Sequence, residues 1–126
     1  MTTIGQVAKE LNVTTRTIRY YEEMGLMGKQ GRVSGSIRTY ADEDVVRLKF
    51  ILKLKELGLT LGEMKTLAEN YEMYNRVPEK MYQTLLEILS QHLDGIDKKM
   101  IRLDSLRKEI VAYRVRVSNI KETEPA

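Results

Sequence analysis

The chain has 126 residues, 42% hydrophobic and 31% charged, with a formal net charge of +3. That balance excludes a disordered segment, and no apolar run approaches the ~20 residues of a membrane span. With no Cys and a single His, His92, the composition argues against disulfides, thiolate metal centres and nucleophilic catalysis of the cysteine or serine–histidine kind.

The charge is unevenly placed. Residues 1–40 hold six Lys or Arg (Lys9, Arg16, Arg19, Lys29, Arg32, Arg38) against Glu10, Glu22 and Glu23, so the whole excess sits in the first third. A local positive field of this kind suits a polyanion-binding module. The opening Met-Thr-Thr-Ile-Gly has neither the basic flank nor the apolar core of a secretory signal, and a cytoplasmic protein is expected.

Thr3-Ile-Gly-Gln6 is a capping box at the head of a short helix whose Ile4, Val7, Ala8 and Leu11 recur on one stripe. Asn12-Val13 interrupts it, and Thr14 caps a second helix with Ile18, Tyr21 and Met24 on one face, closed by Gly25 in a left-handed conformation. Residues 28–36, punctuated by Gly28, Gly31 and Gly35, suit a hairpin or wing, with Val33, Ile37 and Tyr40 as strand material.

A second helical pair follows. Asp42, Glu43 and Asp44 place negative charge in a first helical turn, and Val45, Leu48, Ile51, Leu52 and Leu57 are its expected apolar face. Gly58 stops that helix, and the capping box Thr60-Leu-Gly-Glu63 starts another carrying Met64, Leu67 and Ala68.

Pro78 fits the first turn of a third, much longer helix. Leu89, Ile96, Leu103, Ile110 and Val117 repeat every seven residues, flanked by Leu86, Leu93 and Met100 and then by Leu106, Tyr113 and Ile120. A helix of ~40 residues would run ~60 Å. Its stripe must be covered by a second chain or by a fold-back at Gly95, and a self-associating coiled coil is the favoured reading. The expected organisation is a head over 1–70, a hinge over 71–77 and a dimerisation helix over 78–122. The fold is mainly α.

The run Val13-Thr-Thr-Arg-Thr-Ile-Arg-Tyr-Tyr-Glu22 carries the most chemical information. On a helix begun near Thr14, the side chains of Thr15, Arg16, Arg19 and Tyr20 share an exposed side while Ile18 and Tyr21 point inward. Arginine presents a fork for guanine edges, and Arg and Tyr both bind phosphate oxygens. The alternative is a solvated face on which Arg16 and Arg19 pair with Glu22 or Glu23.

With Ile4-Gly-Gln-Val-Ala before it and Glu-Met-Gly-Leu26 after it, this run resembles the N-terminal DNA-binding domain of MerR-family transcriptional regulators. Ser36-Ile-Arg-Thr-Tyr40, Asp44-Val-Val-Arg-Leu48, Leu57-Gly-Leu-Thr-Leu-Gly-Glu-Met64 and the long helix follow in family order. The resemblance implies a winged helix-turn-helix and a homodimer joined by an antiparallel coiled coil. It also implies binding to a pseudo-palindromic promoter element, distorted so that RNA polymerase can engage it. Thr15, Arg16, Arg19 and Tyr20 match the recognition-helix positions; Arg38 and Tyr40 match the closing Arg-x-Tyr of the wing, and Lys29 and Arg32 fall within its loop. The departures lie there: Met27-Gly-Lys-Gln-Gly31 replaces the prolines and Arg of relatives, and Gly35-Ser-Ile37 replaces Gly-Tyr.

Metal- and redox-sensing relatives place cysteines after the dimerisation helix, and drug-sensing relatives append a domain; neither is seen here, so no metal and no cofactor are expected. Tyr71, Met73, Tyr74, Val77, Met81 and Tyr82 cluster around the hinge. Tyr71, Tyr74 and Tyr82 are therefore candidates for a small aromatic or apolar effector, against the alternative of packing at the subunit contact. Residue types and spacing give no support for an enzyme. The rival readings are an architectural or recombination-directing DNA-binding protein and a coiled-coil adaptor.

Overall fold

The structure is a computed structural model, and it describes residues 2–28 and 39–123. The expected wing, and with it Lys29, Arg32 and Arg38, lies outside the described residues apart from Gly28. Among those described, the order is β1 (Thr2–Thr3), α1 (Ile4–Leu11), α2 (Thr15–Glu23), β2 (Thr39–Tyr40), α3 (Asp42–Glu56), α4 (Leu61–Met73) and α5 (Pro78–Thr123).

The helix starts follow from their caps. Thr3 accepts from the Gln6 backbone N–H while the Gln6 side chain accepts from that of Thr3, at 3.3 and 2.9 Å. Thr14 accepts from the Thr17 N–H at 3.1 Å, and Thr60 and Glu63 close a reciprocal box. Helix α3 starts from Ala41, whose N–H is taken by the Asp44 carboxylate at 2.9 Å.

Helices α2 and α3 stop by one device. At the end of α2, Leu26 N–H donates to the Tyr21 carbonyl and Gly25 N–H to that of Glu22, with Gly25 at φ +79°. At the end of α3, Leu59 N–H donates to Leu54 and Gly58 N–H to Lys55, with Gly58 at φ +98°. Each is a Schellman turn, in which the residue after the left-handed position packs back on the last helical turn. This geometry corrects the expected apolar face of α3. Leu57 caps the helix and is 50% exposed, whereas Leu54 and Leu59 are buried. Past the cap the chain leaves the helical path, so the inward row continues through Leu59.

Strand β1 pairs antiparallel with β2, Thr2 opposite Tyr40 and Thr3 opposite Thr39. Tyr40 has the expected strand character, and its partner is the N-terminus, a pairing that no local pattern signals. The core of this unit is built from Val7, Ile18, Leu26, Tyr40, Leu48 and Leu59, each at most 2% exposed. The compact unit extends to residue 85, beyond the break expected at 70, since it takes in the first turns of α5. Asn70 Nδ2 donates to Thr84 Oγ1 at 2.9 Å, and Leu85 is buried. The expected hinge likewise begins later: α4 runs to Met73, and residues 74–77 make the link.

The second unit, residues 86–126, holds the rest of α5. The helix runs 46 residues without interruption at Gly95, about 69 Å at 1.5 Å per residue, so the fold-back alternative does not occur. Ile96, Leu103, Ile110 and Val117 of the seven-residue row are exposed, as are all six flanking residues named above, and only Leu89 is half-buried.

Candidate nucleic-acid interface

Helices α1 and α2 form a helix-turn-helix. The turn is tight because Asn12 adopts a left-handed conformation, φ 56°, while Val13 and Asn12 N–H groups return to the carbonyls of Ala8 and Lys9. Asparagine is one of the few non-glycine residues that tolerates this region. Helix α2 is fixed on one side by Ile18, fully buried, and Tyr21, 5% exposed. Arg16, Arg19 and Tyr20 then face solvent together and Thr15 is half-buried beside them. The 3.6-residue repeat puts these side chains on the outer face once Ile18 and Tyr21 are committed inward. Burial pushes the Tyr21 phenol above its ordinary titration range, and the neighbouring Tyr20, with ring centroids 5.8 Å apart, adds to the shift.

Tyr40 does not share that face. Its side chain is 1% exposed and its hydroxyl donates to the Glu22 carboxylate on α2. The reason is strand alternation: with Thr39 outward, Tyr40 must point into the core. Tyr40 therefore holds the recognition helix rather than presenting a hydroxyl to a phosphate.

Sequence reasoning missed Arg47. Its side chain is 22% exposed, its Nε donates to the Leu26 carbonyl at 2.8 Å, and its Nη1 lies 3.6 Å from Glu72. Its guanidinium also sits 5.5 Å from the centroid of the Tyr71 ring. Helical periodicity assigns such a position to a polar flank, and no local pattern reveals that its fork closes on two other elements.

Beside it runs a groove of about 830 Å³, lined by Phe50, Leu54, Met64, Tyr71, Met81 and Tyr82 among others. Of the candidate effector tyrosines, Tyr71 and Tyr82 meet there. Tyr74 does not line it; its ring lies 5.9 Å from the Lys80 ammonium. Among the described residues no group of three or more His, Asp or Glu is placed to hold a metal ion, and no helix is long and apolar enough to cross a membrane.

A helix-turn-helix with an exposed arginine pair on its second helix, joined to a long helix with an uncovered heptad stripe, defines a DNA-binding regulator of the helix-turn-helix class. Residues 2–71 match the MerR HTH family regulatory proteins, and residues 45–113 match the MerR DNA-binding family. The chain belongs to the MerR family and is a DNA-binding transcriptional regulator of that type.

Among its relatives is the HTH-type transcriptional regulator ZntR homolog of Haemophilus influenzae, 34% identical over 117 residues, covering 92% of this chain and 84% of the relative. The solved structure of PbrR691 from Ralstonia metallidurans, in complex with lead(II), is similar with a TM-score of 0.69 at 25% identity, over 90% of this chain and 85% of that one. HiNmlR, a MerR-family regulator lacking the sensor domain and bound to promoter DNA, shares the fold with a TM-score of 0.61 at 21% identity, over 95% and 94% of the two chains.

Proposed function

We propose that this regulator binds a pseudo-palindromic promoter element in the cytoplasm as a homodimer, and distorts that element so that RNA polymerase can use it. The observation that carries the reading is the exposed face of α2, where Arg16, Arg19 and Tyr20 stand clear of a helix anchored by Ile18 and Tyr21. Thr15, Arg16, Arg19 and Tyr20 are assigned to base edges and phosphates of the major groove; Lys29, Arg32 and Arg38 are assigned to flanking phosphates. Tyr40 is withdrawn from that set. Residues 1–70 with the link after them form the reading head, and α5, through Leu89, Ile96, Leu103, Ile110 and Val117, joins two copies.

The signal is a small organic molecule taken up in the groove where Tyr71 and Tyr82 meet. Soft metals are selected by thiolates, and these 126 residues hold no Cys. PbrR691 was solved with lead(II), and this chain is proposed to differ from it in its response.

Purified protein challenged with a random-sequence duplex pool tests the reading. Enrichment of an inverted repeat supports it; failure to enrich any sequence, with association that ignores salt, supports a protein–protein adaptor instead.

A further inference from the structure

Arg47, Glu72 and Arg76 form a continuous chain of contacts between the two ends of the reading head. At one end, Arg47 Nε holds the Leu26 carbonyl, in the Schellman turn that closes α2. In the middle, both Glu72 carboxylate oxygens are engaged: Oε1 at 3.6 Å from Arg47 Nη1, Oε2 at 3.4 Å from Arg76 Nε. At the other end, Arg76 sits two residues ahead of Pro78, where α5 begins. Asn75 and Arg76 both adopt left-handed backbone conformations, φ 54° and 63°, and Arg76 N–H donates to the Tyr71 carbonyl at 2.8 Å.

Two features argue against a purely stabilising role for this arrangement. Glu72 and Arg76 are 41% and 61% exposed, and exposed ion pairs contribute little to folding. An arginine in the left-handed region is moreover disfavoured relative to glycine or asparagine, so the link is held in a conformation its sequence does not prefer. Gly28, the last described residue before position 29, lies directly on the same pair. A Cβ there would stand 2.9 Å from Arg47 Nη1 and 3.1 Å from Glu72 Oε1.

We infer that Arg47 and Glu72, with Arg76, are positioning residues that lock the closing turn of the recognition helix to the link ahead of α5, and so fix the half-site spacing that a dimer accepts. Each added base pair rotates and displaces one half-site relative to the other, because about ten pairs make a turn. Asn70 and buried Leu85 already fix the start of α5 to α4. A closing turn locked to α4 through Arg47 and Glu72 therefore cannot follow that rotation, whereas one released from Glu72 can turn against α4. Tyr71, whose ring lies against the Arg47 guanidinium and also lines the groove, places the lock within reach of a groove occupant.

The inference rests on the dimeric DNA-binding reading, and the test separates the two. The probe is the duplex enriched by the wild-type protein from the random pool, together with versions carrying one base pair more or fewer between half-sites. For the wild-type protein the altered spacings should bind roughly tenfold more weakly, within the usual range of coupling between sites. Glu72→Gln and Arg47→Lys should bind the original duplex within about threefold of wild type and lose less than about threefold on the altered spacings, as expected when a coupling is removed. Leu67→Ala, a buried α4 position that takes part in none of these hydrogen bonds or ion pairs, is the control for destabilisation. It should lower the melting temperature and keep the full spacing penalty. Retention of the tenfold penalty by both Glu72→Gln and Arg47→Lys would overturn the inference, as would its loss in Leu67→Ala. A pool that enriches no repeated half-site would overturn the dimeric reading and the inference with it.

Discussion

The hydroxyl of Tyr40 donates to the carboxylate of Glu22, fastening β2 to the recognition helix one turn after Arg19. The helix that carries Arg16 and Arg19 is thus held by a tyrosine that is only 1% exposed.

Removing that donor should loosen α2 without altering its surface. Tyr40→Phe keeps the buried ring and loses a hydrogen bond to a charged acceptor, a change of about 1.5–3 kcal/mol in folding stability. Chemical denaturation measures it. A variant as stable as wild type would show that the contact does not hold the helix.

On the exposed face, Arg19→Ala should weaken operator binding by about 1–3 kcal/mol if Arg19 reads a base, with relaxed preference at one position. If it holds a phosphate, the loss should be uniform across sequences and the salt slope should fall by about one. Titrations at three salt concentrations separate these outcomes. Wild-type affinity with a wild-type salt slope would remove Arg19 from the interface.

Gly28→Ala meets two obstacles: the backbone is at φ +71°, and the new Cβ would press on Arg47 Nη1 at 2.9 Å. A cost of about 1–2 kcal/mol is expected from the backbone alone. Pairing it with Arg47→Ala, which clears the space, should recover the steric part and leave the backbone part. A double variant whose losses merely add would contradict the contact.

Alkaline pH probes the buried side of α2. The Tyr21 phenol titrates above its ordinary value, so the folded protein retains that proton where the unfolded chain gives it up. Its contribution is intact below about pH 10, the unfolded phenol value, and falls as pH rises through the folded value. Wild type and Tyr21→Phe should therefore differ in the slope of stability against pH only above about pH 10. Identical slopes would place Tyr21 in solvent.

Leu103 and Ile110 are 63% and 59% exposed on a single chain, yet fall on the seven-residue row. Leu103→Asp would strand a charge in the apolar seam and should dissociate the dimer, with operator binding lost alongside. Sedimentation of an intact, DNA-binding dimer would reject the seam.

Much of this was legible in the sequence because the relevant signals are local. Thr3, Thr14 and Thr60 announce helix starts through a side chain reaching only three residues along, and Gly25-Leu26 and Gly58-Leu59 end helices by the same short turn. The heptad row of α5 is a period, visible without partners. What escaped is what depends on distant pairing. Strands β1 and β2 have two residues each, too few to show alternation, so Thr2 could not be matched to Tyr40 nor Tyr40 placed inward. Leu57 and Leu59 exchange roles because the path after a left-handed glycine leaves the helical wheel. Arg47 and Glu72 lie 25 positions apart on different helices, and nothing in either neighbourhood marks them as partners.

A head that reads paired half-sites within promoters should occupy such sites in living cells. A genome-wide map of bound sites, made in cells expressing the chain at native level, tests it most directly. Discrete sites centred on inverted repeats between promoter elements are expected, and Leu103→Asp should abolish them. Binding spread evenly along the chromosome, or discrete sites confined to regions outside promoters, would contradict it.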